Sequence, residues 1–584
     1  GQWIVQHLSF PQKDGFTYTQ GSRDYLDSNG LYQILLYGFF RAFGYSSLTL
    51  LNAGLLLAVF SFLWIRLKAT PAPPWALVLF FLAAISGMER RFIVRPEIFS
   101  WLYLSLTLWV LDRRFSRGRN LLFLLPLLQW LWVNTEGLFM LGWAALATYI
   151  LSGRIHWKKW DRPLISYSLG SVFVGILNPY GWRGLWFPFT LWKRLQDSSP
   201  YKQTIAEFFS PWRTLTTQNL GMDRHFHLFL FFAIALAGLL LIAVSFRQRK
   251  FHELVLLTAF LFLAVRAQRN IPLFMLVALP ILAACLSSFK TTPRWGWLSQ
   301  PRIAWVLVLF TLLWCLRVAT NAYYIGDRRN ERIGFGVDSQ VLPVKAAQFL
   351  VQNGLNGRML NDLNSGGWLD WQAPQPTFVD GRLEVPEESF FRQMMQSFTP
   401  GGLIPLLAAT DAQLVVVEYN TFSPWVDQLN RFSNWRLLYL DECTAIYARS
   451  DYAPQFPALS WPALTASRGI PSETDASVTE QLESLTVSRW TTWFRGFYEP
   501  QTYAMGDFSM GLFAIRAKAY DPARNLLMEG LRRTNGDYPE VFLNLALANF
   551  TLRDLEMARL CLEYTLRLDP RNKRAAELLA NFVR

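Results

Sequence analysis

Chemistry in this chain rests with a few acids and arginines held in short loops. The first is Asp14, in Phe10-Pro11-Gln12-Lys13-Asp14-Gly15-Phe16-Thr17-Tyr18-Thr19, one acid in a polar loop between aromatics and a Pro. A lone Asp beside Gly is an ordinary turn residue; it is also a carboxylate around which a membrane-face site can be built. A second group comprises Glu89-Arg90-Arg91-Phe92-Ile93-Val94-Arg95-Pro96-Glu97, Trp132-Val133-Asn134-Thr135-Glu136-Gly137, Asn178-Pro179-Tyr180-Gly181-Trp182-Arg183 and Arg266-Ala267-Gln268-Arg269-Asn270. Its arginines, Arg90, Arg91, Arg95, Arg266 and Arg269, have two readings. They are anchors that lay their stems on apolar surface and keep their heads at a headgroup boundary, or they form an anion site for a lipid phosphate, whose oxygens a guanidinium pairs in bidentate fashion. Glu89, Glu97 and Glu136 offset part of that charge. A third group, Asp380-Gly381-Arg382, is either a turn closed by its own salt bridge or a loop leaning over the same site.

The elements that position these groups read as membrane spans. Hydrophobic residues make up 52% of the 584 and charged ones 17%, below the roughly 25% of soluble domains. Apolar runs of span length recur to about residue 322 and then stop. Residues 31–45, interrupted by Arg41, read as an interfacial helix. Ten spans follow, at 47–66, 74–88, 97–112, 120–133, 136–152, 163–178, 226–245, 253–268, 271–288 and 302–322. Gly1 with Trp3-Ile4-Val5 and no Met reads as the end of a truncated earlier span.

The formal charge of +14 is distributed as membrane topology rather than as a nucleic-acid footprint. One set of loops holds Arg66 and Lys68; Arg113, Arg114, Arg117 and Arg119; Arg154, Lys158, Lys159 and Arg162; Arg247, Arg249 and Lys250; Lys290, Arg294 and Arg302. Only Asp112 and Asp161 stand against them. The positive-inside rule makes these loops cytoplasmic, so the loops with the mixed chemistry face outside.

After about residue 340 the pattern becomes soluble. Val344 to Gln352 reads as a helix, Arg358-Met359-Leu360 as a strand, Asn364-Ser365-Gly366-Gly367 as a turn and Pro376-Thr377-Phe378-Val379 as a second strand. Gln413 to Val417 reads as a buried strand, and Trp435 to Tyr439 with Thr444 to Arg449 as a closing hairpin. The expected organisation is a polytopic α-helical membrane domain over 1–325, an extracytoplasmic α/β domain over 340–450, a linker over 451–500 and a helical tail over 501–584. In the tail, Phe542, Leu545, Ala546, Ala558, Leu566 and Pro570 fall at the offsets of a 34-residue helix-turn-helix repeat, with a weaker copy at Phe508, Leu512, Ala523 and Leu526. This resembles a short tetratricopeptide array. Two repeats and a cap are marginal alone, so the tail should pack on the α/β domain or on a protein partner.

The sequence holds no GxxxxGK[ST], HExxH or GxSxG, so a reaction here would use carboxylates and arginines and draw its energy from a substrate bond. Cys285, Cys315, Cys443 and Cys561 are scattered, which argues against a metal cluster or disulfide framework. Carboxylates cluster enough to admit a divalent metal, without a spacing that demands one.

Taken together, Pro11-x-x-Asp14-x-Phe16-x-Tyr18-Thr19, Arg95-Pro96, Trp132-x-Asn134-x-x-Gly137, Asn178-Pro179-Tyr180-Gly181 and Gly366-Gly367…Asp380-Gly381-Arg382 resemble the GT-C membrane glycosyltransferases, over residues 1 to about 450. That group includes protein O-mannosyltransferases and lipid A aminoarabinose transferases, and the match is to its uncharacterised bacterial branch. The resemblance implies a sugar donor on a polyprenyl phosphate, Asp14 as the base for the acceptor, Glu89 and Glu136 assisting it, and the five arginines on the leaving phosphate. Asn134, Asn178, Tyr180, Asp380 and Arg382 are carried over as further site residues. It implies a bacterial plasma-membrane location with the C-terminal domains outside. Glu97 and Glu136 stand where relatives often carry His, which keeps a non-catalytic scaffold subunit open as an alternative. A transporter of a lipid-linked substrate is the third reading; the charges cluster at span ends rather than at mid-membrane, where transport sites lie.

Overall fold

The computed structural model describes residues 1–582 except 22, 118–120, 218–221, 246–249, 288–300, 327–328, 330, 374, 383, 471–479, 481, 483–492, 501–504 and 535–537. Arg119, Arg247, Arg249, Lys290 and Arg294 of the basic loops, and much of the linker, lie outside the described residues. The chain forms two compact units: Gly1–Lys13 with Asp24–Leu309, and Asp14–Arg23 with Phe310–Arg584.

The first unit is helical. Helices stand at each place where an apolar run occurs: Gly30–Phe43, Ser46–Lys68, Pro74–Met88, Glu97–Arg117, Leu124–Thr135, Met140–Trp157, Arg162–Val174, Met222–Ser245, Phe251–Arg266, Ile271–Ser287 and Pro301–Ala319, the last of which runs on into the second unit. Among the described residues four segments are long and apolar enough to cross a membrane: Ser46–Lys68, Gly137–Trp157, His225–Val244 and Gln268–Leu286. Others are shorter, with 15 residues in Pro74–Met88, 12 in Leu124–Thr135 and 13 in Arg162–Val174, against the ~20 that a bilayer asks for.

Ile271–Ser287 is apolar on every face and buried almost throughout, as such a helix must be when it lies at the centre of a bundle. It packs against Ser46–Lys68, Pro74–Met88, Glu97–Arg117, Met222–Ser245 and Phe251–Arg266. A buried guanidinium is costly unless paired. Arg66 meets that condition by donating to Asp112 Oδ2 at 2.9 Å and to the Leu276 carbonyl at 2.8 Å.

The second unit carries a four-stranded sheet: β1 (Met359–Asn361), β2 (Leu414–Glu418), β3 (Trp435–Leu440) and β4 (Thr444–Arg449). The order is β1-β2-β4-β3, with β1 parallel to β2 and the remaining pairs antiparallel. A parallel pair needs a long crossover, and Leu363–Gln372, Glu388–Gln396 and Leu403–Thr410 supply it. The near-continuous apolar run of β2 is explained by its central position. Leu414 and Val416 lie in a core with Met359, Leu369 and Ile446.

Two sequence expectations are corrected. Pro376–Val379 is not a sheet strand; Thr377 makes an isolated parallel bridge to Thr17. Asn364–Gly367 is not a turn but the start of the helix Leu363–Gln372. Asp362 caps that helix through the Asn364 and Ser365 amides at 2.8 and 2.9 Å, satisfying donors the first turn leaves open, and the cap outweighs the glycine pair.

Beyond the sheet, Trp461–Ser467 is followed by Met505–Arg516, Tyr520–Thr534, Pro539–Thr551, Leu555–Leu568 and Lys573–Phe582. In this last set each helix packs on the next. The set meets the sheet layer through Arg468, which joins Glu442 and Asp507 at 2.9 Å each, through Arg516 on Asp427 at 2.8 Å, and through Tyr419 against Phe513.

Candidate functional site

Asp14 starts a tight turn. Its Oδ1 accepts from the Phe16 amide at 3.2 Å, and its Oδ2 from the Thr17 amide at 3.2 Å and the Thr17 hydroxyl. The segment is then stitched to the α/β part of its own unit. Tyr18 N donates to the Thr377 carbonyl at 3.0 Å, Thr377 N to the Phe16 carbonyl at 3.2 Å, and Thr19 Oγ1 to the Phe378 carbonyl at 2.6 Å. Arg23 reaches the Val385 carbonyl at 3.2 Å and the Glu387 carboxylate. On the other side, Asn361 at the end of β1 holds the same loop by bonding Phe378 N and the Val379 carbonyl, both at 2.7 Å.

This stitching brings Asp14, Asp380 and Arg382 together. Arg382 donates through Nη2 to Asp14 Oδ1 at 2.6 Å and through Nε to Asp380 Oδ2 at 2.7 Å, while its amide donates to Asp380 Oδ1 at 2.9 Å. The guanidinium also lies over the Phe16 ring at 4.9 Å. The Asp14 side chain is buried. An ionised carboxylate offers about four lone-pair positions. Four donors occupy those of Asp14, so it can take an acceptor's proton only after Arg382 or Thr17 lets go.

A third acid closes the group. Asp370, on Leu363–Gln372, accepts from Thr377 Oγ1 at 2.7 Å and shares a hydrogen bond with Asp380. Burial and then the Asp380 charge push its carboxyl up to about 8, so at neutral pH it carries a proton and donates. One cation, Arg382, thus faces two carboxylates, with a protonated acid behind them.

The arginines sort into a separate cluster in the first unit. Arg91 forks onto Glu97 through Nε–Oε1 at 2.7 Å and Nη2–Oε2 at 2.6 Å, and its Nη1 donates to Glu207 Oε2 at 2.7 Å. Arg95 donates to the same Glu207 oxygen at 2.7 Å. Arg269 adds longer contacts, 3.4 Å to Glu207 and 3.5 Å to Glu97, and stacks over Phe208. Burial alone would raise the Glu207 carboxyl, but the Arg269, Arg95 and Arg91 charges outweigh it and bring it down to about 2. Three guanidinia against two carboxylates leave one net positive charge, and Arg95 is the most open of the three, its side chain 47% exposed.

Other expected site residues are engaged in holding loops. Arg266 leaves the cluster for Asp197 at 2.9 Å, which also takes Lys202 at 2.6 Å. Arg90 and Glu89 pair with each other at 4.0 Å. Glu136 accepts from Leu138 N at 2.7 Å and from the Ser100 hydroxyl, which in turn accepts from Trp132 Nε1 at 2.7 Å. Asn134 donates to the Trp130 and Leu177 carbonyls. Asn178 closes its turn on the Gly175 and Gly181 carbonyls and accepts from Tyr180 N. The Tyr180 hydroxyl donates to the Pro11 carbonyl at 2.9 Å and accepts from Asp27 N at 3.1 Å. Among the described residues no group of three or more His, Cys, Asp or Glu is arranged to hold a metal ion.

Sequence reasoning missed Glu207 and Asp370. Glu207 sits in the middle of the long loop after Asn178 with no motif around it. Asp370, in Trp368-Leu369-Asp370-Trp371, reads as an ordinary polar helix position until the returning loop covers it. No known family model and no curated protein matches this chain.

Proposed function

We propose that this chain is a polytopic membrane glycosyltransferase of the GT-C type, with about ten spans, in a bacterial plasma membrane. In this reading it moves a sugar from a polyprenyl-phosphate donor to an acceptor hydroxyl on the extracytoplasmic face. The α/β domain lies on that face, and the tetratricopeptide-like tail binds a protein partner. Asp14 takes the acceptor proton as the new C1–O bond forms and the bond to the phosphate breaks. The arginine cluster offsets the charge that develops on the leaving phosphate. The observation that supports this most is the buried pairing of Asp14 with Arg382, residues 368 apart in the chain. A surface turn has no need of such a partner.

The test is transfer of radiolabelled sugar from polyprenyl-phosphate donors to acceptors in membranes that hold the protein. Asp14→Asn keeps the size of the side chain and removes the base, and should lower turnover by roughly 10²-fold or more while donor still binds. Equal transfer by variant and wild type overturns the catalytic role.

A second reading, a non-catalytic scaffold subunit, is favoured by the filled lone pairs of Asp14. In that case the same substitution alters the fit of the loop and changes no turnover.

A further inference from the structure

The helix Trp182–Arg194, in the loop after Asn178, carries three exposed tryptophans: Trp182 at 62%, Trp186 at 54% and Trp192 at 57%. Trp182, Trp186 and Phe189 fall on one face at helical spacing and stack in a row, with ring centroids 6.2 and 4.8 Å apart. A contiguous row of rings left more than half open at two indoles marks a surface that something covers.

The helix is firmly seated. Leu185 is buried and rests on Gly175, where a Cβ would stand 2.7 Å from its Cδ1. Gly184 lies against Asn178, where a Cβ would come within 2.1 Å of Oδ1. The aromatic row is therefore presented by a fixed backbone.

We propose that this helix lies in the headgroup boundary of the bilayer, its aromatic row sunk among the first acyl carbons and its cations on lipid phosphates. Two observations select lipid as the occupant. The helix holds Arg183, Lys193 and Arg194 and no acid, which is the charge that anionic headgroups attract. It also follows closely in the chain on the exposed apolar face of Arg162–Val174 and the residues just after it, where Phe173 is 69% and Leu177 64% exposed. Trp130, itself 41% exposed, donates to the Leu177 carbonyl at 3.1 Å. An amphipathic indole with one end apolar and one end hydrogen-bonded is the side chain that collects at this depth. The inference rests on the membrane reading of the four long apolar helices and is independent of the glycosyl-transfer reading.

The experiment uses the full chain with its four cysteines replaced by Ser, in vesicles of phosphatidylcholine and phosphatidylglycerol. Single cysteines at Trp186, Trp192, Leu236 and Asp521 carry a spin label, and relaxation by oxygen is compared with relaxation by a water-soluble nickel chelate. Leu236 tests the span His225–Val244, and Asp521 is a water-facing reference. The expected result is oxygen-dominated relaxation at 236, with 186 and 192 intermediate in depth between 236 and 521. Nickel-dominated relaxation at 186 and 192 overturns the inference, as does a label shielded from both agents, which would mean a protein partner or second copy covers the helix. A water-facing 236 instead overturns the membrane reading itself. Folding of each variant is checked by gel filtration before labelling.

Discussion

Asp370→Asn isolates the proton that the α/β part of the chain holds. In the native fold the Asp370 carboxyl, pushed up to about 8 by burial and by Asp380, binds a proton that the unfolded chain, at about 3.8, has already lost. A group that binds its proton more tightly when folded stabilises the fold most at low pH. Here that contribution is complete below about 3.8, falls as pH rises, and levels off above about 8. Between about pH 5 and pH 7 the slope is about 1.4 kcal/mol per unit. The native protein therefore loses about 3 kcal/mol over that interval, on the order of a hundredfold in the opening constant. Asn reproduces the protonated acid, its carbonyl accepting from Thr377 and its amide donating to Asp380, and has nothing to titrate. Hydrogen-exchange protection factors for β2, followed by mass spectrometry, should fall with pH more steeply in the native chain than in Asp370→Asn. Curves that run parallel in the two proteins would refute the argument, because Asp370 would then carry no proton that folding controls.

Glu207→Gln should leave Arg91 and Arg269 on Glu97 and remove the ion pair of Arg95. With the Glu207 carboxyl lowered from 4.5 to about 2, its charge stabilises the fold at neutral pH by roughly 3 kcal/mol, and that contribution disappears as pH falls from 4.5 through 2. Thermal unfolding in detergent should show the variant melting several degrees lower at pH 7, with the gap closing on acidification. Gly366→Ala places a Cβ 2.1 Å from the Val379 carbonyl oxygen and 2.7 Å from Asp380 Cα. Backbone cannot yield there, so a loss of roughly 2 kcal/mol or more is expected, together with faster amide exchange in residues 14–23 as the Asp380–Arg382 loop is pushed from Asp14.

Much of the fold was legible because apolar runs and turn residues act locally. Every long apolar run forms a helix, and β2 was readable because a central strand is apolar on both faces. What escaped depends on chain that returns from far away. Pro376–Val379 has the residue types of a strand, yet Phe378 N and the Val379 carbonyl are taken by the Asn361 side chain, so no ladder can form. Gly366 signals a turn by composition, whereas its actual reason is the approach of Val379 and Asp380 to a helix. The site follows the same logic. Asp14, Asp380 and Arg382, each in a motif the sequence marked, form one group, and Arg91, Arg95 and Arg269, marked by charge density, gather on Glu207 in another, whereas the sequence reading expected a single site. Arg266 was grouped with them on proximity to Arg269, but Arg266 ends Phe251–Arg266 while Arg269 lies in the short turn after it, and Asp197 draws Arg266 away. Glu207 and Asp370 acquire their roles only from their partners.

The segment Asp14–Arg23 belongs to the second unit while the chain on both sides of it belongs to the first. This has a consequence for biogenesis. At ~5–20 residues per second of synthesis, the 368 residues between Asp14 and Arg382 keep Asp14 without its partner for on the order of tens of seconds. Through that interval a stretch destined for burial must stay hydrated and accessible to chaperones, while the helices behind it are being made. The chain also passes between the units three times, after Lys13, after Arg23 and after Leu309. A protease that cuts after Leu309 therefore cannot release an intact second unit. It leaves Asp14–Arg23 on the other piece, and Arg382 in the released piece loses its bond to Asp14.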